Sequence, residues 1–293
     1  MPSTLREKLE SNHFVITAEV CPPKGCDCGE FMDKARSLKG LVDAINVTDN
    51  QGANVRISPL APAALLTREG IEPILQLTCR DRNRLAIQSE LLAAASLGIT
   101  NILSLSGDYI SFGDHPGAKP VFDLDSVQLL QTIASLNAGR DISGAPLEGI
   151  PSFYAGAAAA PEAEPFDLTL PKLAKKAAAG ARFFQTQAVF SPGRLARFSE
   201  AVRPLGVKVI TGIILLKSAG MARYITTNIP GLKVPPELID ELEAAERPIE
   251  AGVAIARRLL TAARPFCDGV HIMAMGREEL IPDIVAGLRS EDR

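Results

Sequence analysis

Glu19 stands next to last in the apolar run FVITAEV (14–20), with only Val20 before Cys21-Pro22-Pro23, where the chain must turn. A carboxylate there is either an ion-paired structural charge or a working acid. Partly desolvated at the end of a hydrophobic strand, it is suited to hold its proton near neutral pH and give it up to a substrate. Asp108, in Ser106-Gly107-Asp108-Tyr109, also follows an apolar run, and reads equally as a turn residue. Gln187 ends RFFQTQ (182–187) beside Gln185 and Thr186, and would otherwise cap the helix that follows. Thr48, Asp49, Asn50, Gln76, Thr78, Lys217 and Ser218 hold comparable positions. Acids, amides and hydroxyls with few cations suit a neutral, hydrogen-bonding heterocycle better than a multi-phosphate ligand.

Other chemistry-bearing residues have plainer alternatives. His271 alternates with Val270 and Ile272, the pattern of a satisfied inner-face histidine, and three histidines in the whole chain give no basis for a histidine metal site. Lys175 and Lys176 lie on a helix whose default is a solvated face, although a cofactor phosphate could reach them from the strand ends. Cys21, Cys26 and Cys28 cluster without the spacing of a zinc knuckle or a second ligand pair, so a loop of ordinary cysteines is the plainer reading. Five cysteines, an odd number, with no export signal suggest free thiols.

These residues need elements that end where they stand, and the sequence supplies eight short β-rich runs. They are 14–20, 44–49, 73–79, 101–107, 152–158, 182–187, 207–215 and 269–274. Helical patterns fall between them, at 82–98, 124–137, 167–180 and 248–263 among others, with Leu85, Ile87, Leu91 and Leu92 as the apolar stripe of the first. Eight strands, each followed by a helix, predict the α/β class and a (β/α)8 TIM barrel. A doubly wound open sheet would carry a glycine fingerprint after its first strand, and none is there. A long loop (107–123) follows strand four, and a helical insertion, PPELIDELEAA, lies in 217–247 after strand seven. No repeat or linker divides residues 1–293, so a single barrel domain is expected.

The chain is 46% hydrophobic, ample for a packed interior, and its net charge of −3 argues against nucleic-acid binding. No apolar run reaches the roughly 18 residues of a membrane span, and the first residues lack a signal-peptide core. A cytoplasmic protein is expected.

Eight short motifs, in order along the chain, carry a family resemblance. They are Ala18-Glu19-Val20-Cys21-Pro22-Pro23; Val47-Thr48 with Gly52-Ala53-Asn54; Leu77-Thr78-Cys79; Leu105-Ser106-Gly107-Asp108; Lys119-Pro120 with Phe122; Pro161-Glu162-Ala163; Lys175-Lys176 leading to Ala179-Gly180-Ala181; and Thr186-Gln187. Together they resemble the methylenetetrahydrofolate reductase family, flavin-dependent barrel enzymes of one-carbon metabolism, with this chain as a divergent bacterial-type member.

The resemblance implies hydride transfer interconverting 5,10-methylenetetrahydrofolate and 5-methyltetrahydrofolate, in the service of methionine biosynthesis. It implies Glu19 as the general acid at the folate and Asp108 as a carboxylate near both pterin and flavin. Gln187, Asp108 and Ser218 would bind the folate. Thr48, Gln76, Ser106, Gly107, Phe122, Lys175 and Lys176 would hold FAD, with FMN as the alternative. NADH or NADPH would supply electrons, or a partner subunit would deliver them, and an oligomer is expected. No metal is implied.

The chain departs from the family at several of these places. Gly156 to Ala160 stand where members carry an aromatic and a histidine against the flavin. Gln76 replaces a histidine, Ser106 an arginine, and Ala219 an aromatic that stacks on the substrate. The last strand continues as GVHIMAMGREELIPDI in place of the common FYTLNR ending. The flavin type and the electron donor stay open on these residues. A flavin-independent, pterin-binding methyl-transfer barrel, or a folate-binding subunit of a larger complex, is the alternative.

Overall fold

The structure is a computed structural model and describes residues 4–229 and 231–288. Each of the eight β-rich runs holds a strand, two of them ending one residue beyond the run: β1 (Val15–Val20), β2 (Ala44–Val47), β3 (Pro73–Thr78), β4 (Asn101–Leu105), β5 (Tyr154–Ala159), β6 (Phe183–Ala188), β7 (Lys208–Ile214) and β8 (Gly269–Met273). They pair in sequence order, all parallel, and β8 closes onto β1. The architecture is the (β/α)8 barrel expected from the alternation.

Alternate residues of each strand divide between two cores, as the two-residue period of a strand requires. Ile16, Ala18 and Val20 of β1, Ile45 and Val47 of β2, and Leu75 and Leu77 of β3 face outward against the helices. Val15, Ala44, Ile74, Leu103, Tyr154, Phe183 and Ile210 instead fill the base of the barrel. The helix Thr4–Glu10 lies across that base. Its Leu5 and Leu9 are fully buried among those residues, and Leu5 N–H donates to the Glu72 carboxylate at 3.2 Å.

The helix Arg84–Ser96 shows where pattern reading slipped. Ile87, Leu91 and Ala94 form its buried stripe, whereas Leu85 is 74% exposed and Leu92 is also exposed. Positions spaced by four and three residues share a face, and Leu85 and Leu92 fall off it. The start is fixed by Asn83, whose side chain accepts from Leu85 N and Ala86 N. The long loop after β4 carries only a short 3₁₀ turn, Ile110–Phe112, and the insertion after β7 holds the helix Pro236–Ala244, both where the sequence put them.

Candidate active site

Above the apolar base the barrel interior turns polar. Thr17, Asn46, Gln76, Gln185 and His271 are buried there, one from each of β1, β2, β3, β6 and β8. His271 Nδ1 lies 3.0 Å from Thr17 Oγ1 and 3.4 Å from Asn46 Nδ2, and Gln76 Nε2 donates to Asn46 Oδ1 at 3.3 Å. Among the described residues, three buried polar atoms in and just above this layer have no hydrogen-bond partner: Thr48 Oγ1, Gln185 Oε1 and His271 Nε2. Buried polar atoms are normally satisfied, so such a group marks where a ligand or water completes the site.

Glu19 stands over this layer. It lies within β1, which continues to Val20, and its side chain is 12% exposed. Oε1 accepts from Gln51 Nε2 at 3.0 Å, and Oε2 is 3.8 Å from His271 Nε2. Among the described residues no lysine or arginine pairs with it, so the structural ion-pair alternative finds no partner. Gln51 sits between Thr48 and Gly52, where nothing local in the sequence marks it as a partner of Glu19.

Asp108 follows β4 and its carboxylate accepts the N–H of Gly52 at 2.9 Å. Its main chain is held by Arg80, a residue only 1% exposed that the sequence reading passed over. Burial opposes the Arg80 charge, but the adjoining Asp81 carboxylate more than offsets it and raises its pKa. Asp49 is an anchor: Oδ2 accepts from Thr78 N–H at 2.9 Å and from Arg82 Nη1 at 2.7 Å. The rest of loop 107–123 is tied down by Asp114, which accepts from Lys24 Nζ at 2.6 Å and from Val55 N–H at 3.0 Å. Those hydrogen bonds hold the Asp114 carboxyl well below the usual range.

Gln187 is turned out at the rim by an irregularity in the β6–β7 pairing between Gln185 and Ala188. Thr186 Oγ1 accepts the Gly212 N–H at 2.9 Å and donates to Gln187 O at 2.7 Å, which fixes the bend. A side chain on Gly212 would meet the Thr186 carbonyl at 2.6 Å, so only glycine fits opposite it. The following helix is capped by Ser191, not by Gln187.

The remaining sequence-predicted residues are spread around the same mouth. Ser106 and Gly107 follow β4, and Phe122 lies at the end of the long loop, partly exposed with φ +42°. Gln76 is in the buried polar layer. Ser218 caps the helix Ala219–Asn228 by accepting from Met221 N at 3.2 Å. Lys175 is exposed on its helix, whereas Lys176 is buried and donates to Ala158 O of β5 at 2.6 Å. Burial, with Lys172 nearby, lowers the Lys176 ammonium to about 8. Glu162, also unremarked as a functional position, accepts the N–H groups of Phe190 and Ser191 at 2.7 and 2.8 Å and so ties the β5 loop to the β6 loop. Cys21, Cys26 and Cys28 are free thiols, and among the described residues no group of three His, Cys, Asp or Glu could hold a metal ion.

Acid, amides and unsatisfied polar atoms gathered at the C-terminal mouth of a closed parallel barrel define a (β/α)8-barrel active-site layout. The family model for methylenetetrahydrofolate reductase matches residues 4–289, and the chain belongs to that family. It is 24% identical over 298 residues to a probable methylenetetrahydrofolate reductase (NADPH) of Caenorhabditis elegans, covering 96% of this chain and 43% of the relative. It is 29% identical over 269 residues to methylenetetrahydrofolate reductase 2 of Schizosaccharomyces pombe, covering 84% and 40%. The chain thus spans about two fifths of the length of these relatives. Among solved structures, a tryptophan synthase chain of M. tuberculosis superposes with a TM-score of 0.56 at 13% identity, covering 98% of this chain and 99% of that one, a likeness of fold alone. No helix among the described residues is long and apolar enough to cross a membrane.

Proposed function

We propose that this barrel carries out the family's reaction, interconverting 5,10-methylenetetrahydrofolate and 5-methyltetrahydrofolate. The observation that carries the reading is Glu19, a nearly buried carboxylate with no cationic partner among the described residues, standing over unsatisfied polar atoms at the barrel mouth. Glu19 passes a proton to the folate nitrogen released as the five-membered ring opens, and takes it back in the reverse direction. Gln187, projecting from the rim, offers both an amide donor and an acceptor to the pterin. Asp108, held by Gly52 N–H, places a fixed negative charge beside the same space.

The residues present fit a flavin. Thr48 Oγ1 is buried and unpartnered, the Gln76 amide lies in the polar layer below, and Gly107 adds no side chain to the rim. Such a set suits the alternating donors and acceptors of a flat heteroaromatic ring. Thr48, Gln76, Ser106, Gly107, Phe122, Lys175 and Lys176 would hold it as FAD. A bound flavin supplies the hydride that the methylene carbon accepts. The C. elegans relative is named for NADPH, and NADPH, with NADH as the alternative, is the donor we assign here.

The test is the absorbance spectrum of the purified chain, followed by anaerobic addition of 5-methyltetrahydrofolate. Flavin bands that bleach on addition support the reading in full. A colourless protein that FAD cannot reconstitute, yet binds folate, would overturn the flavin assignment and favour direct transfer or a methyl-transfer role.

A further inference from the structure

His271 lies one layer beneath Glu19, and the reaction above gives it no task. Its ring is 1% exposed. Nδ1 is engaged by Thr17 and Asn46, while Nε2 is left without a hydrogen-bond partner, 3.8 Å from the Glu19 carboxylate. A buried donor with nothing to bond costs on the order of 1–3 kcal/mol, so a barrel that keeps one invites a use for it.

The neighbouring amides point to which nitrogen carries the proton. Gln76 Nε2 donates to Asn46 Oδ1. That turns the Asn46 amide nitrogen toward His271, where it can only donate. With Asn46 so turned, Nδ1 is the acceptor and the ring proton sits on Nε2, pointing at Glu19; the Thr17 hydroxyl, 3.0 Å from Nδ1 and 3.4 Å from the Val270 carbonyl, can turn its own proton to either.

We propose that His271 is a positioning residue for Glu19. Its Nε2–H receives the Glu19 carboxylate after that group has given its proton to the folate, and holds it oriented until a proton returns. The proposal rests on the folate-reductase reading. Glu19 then has two seats. In one, Gln51 holds Oε1 at 3.0 Å. In the other, a side-chain rotation brings Oε2 from 3.8 Å to the Nε2–H at a hydrogen-bond length of about 2.8 Å. No proton leaves the ring. The proton that Glu19 donates is replaced from solvent at the mouth.

The experiment uses the whole chain labelled with ¹⁵N-histidine. The resonance of His271 is assigned by its loss in His271→Gln. We expect a neutral ring protonated at Nε2 and bare at Nδ1, and a ring protonated at Nδ1 would overturn the proposal. In steady-state folate turnover, His271→Ala should lower kcat by roughly 10–100-fold while KM stays within about threefold. His271→Gln, which keeps an N–H donor, should recover most of that loss. A kcat for His271→Ala within about threefold of wild type would also overturn it. If His271→Ala fails to fold, His271→Phe, which keeps a buried ring without the N–H, carries the turnover test with the same expected loss and the same overturning result. A wild-type chain that shows no folate turnover refutes the reductase reading and this proposal with it, whereas a chain that turns folate over with its His271 ring protonated at Nδ1 refutes the positioning alone.

Discussion

The guanidinium of Arg80 holds the main chain of Asp108 across the barrel rim: Nη1 donates to the Asp108 carbonyl oxygen at 3.3 Å, while Nη2 donates to the Asn50 carbonyl at 3.2 Å. One buried cation thus spaces the loops after β2, β3 and β4. Gly107 lets the loop come that close, since its φ is +94° and a Cβ there would sit 2.8 Å from Arg80 Cβ.

Removing either partner should therefore loosen the mouth. Arg80→Met takes the guanidinium from two carbonyls and leaves the Asp81 carboxylate with only the Asn50 amide at 3.3 Å, and should cost about 2–4 kcal/mol. Gly107→Ala should cost about 1–3 kcal/mol through backbone strain and the clash. Both are read as a fall in Tm together with weaker folate binding. Unchanged melting of both variants would show that Arg80 does not brace the rim.

Glu19→Gln keeps the shape of the side chain and an oxygen for the Gln51 amide, but has no proton to give. Folate turnover should drop by roughly 10²–10⁴-fold. Under the proposed reaction, oxidation of the nicotinamide donor against an artificial acceptor should stay near wild type, because no folate nitrogen is protonated in that half. Stopped-flow traces of the two half-reactions separate the effects.

Glu162 is a buried carboxylate whose pKa is raised by burial, which the two N–H bonds from Phe190 and Ser191 only partly oppose. Glu162→Gln retains an acceptor for both and should cost under about 1 kcal/mol at neutral pH. Glu162→Ala strands both N–H groups and should cost about 2–4 kcal/mol. Urea midpoints for the pair make the comparison, and equal losses would mean that packing, not hydrogen bonding, holds the two loops together.

Lys176 carries a pH dependence of definite sign. Its folded pKa of about 8 lies below the unfolded value of about 10.4, so the native state binds fewer protons between them. Burying the charged ammonium thus destabilises the fold fully below about pH 8, and the penalty fades as pH rises toward about 10.4. The Tm of Lys176→Met minus that of wild type should stay level from pH 7 to about pH 8 and then fall toward pH 10. A constant difference would show that Lys176 stays charged throughout that range.

The alternation of short apolar runs with helical patterns was enough to place all eight strands, because strand length and periodicity are local properties. Glu19, Asp108 and Gln187 were visible for the same reason, each a polar residue at a strand end. What was not legible depended on contacts between distant segments. Arg80 looks like any arginine after a strand until three loops converge on it. Gln51 becomes a partner of Glu19 only when β1 and β2 lie side by side. The exposure of Leu85 was missed because leucine identity was allowed to outweigh its angular position on the helix.

The helix Thr4–Glu10 stops one end of the barrel with Leu5 and Leu9. The base beneath is packed with side chains, so any visitor must approach from the side where Glu19 stands. Under the proposed chemistry the nicotinamide and the pterin would have to queue, each leaving before the other enters. Initial-rate plots at several fixed donor concentrations should then run parallel, and the order of visits would be written into the kinetics by a helix that touches neither visitor.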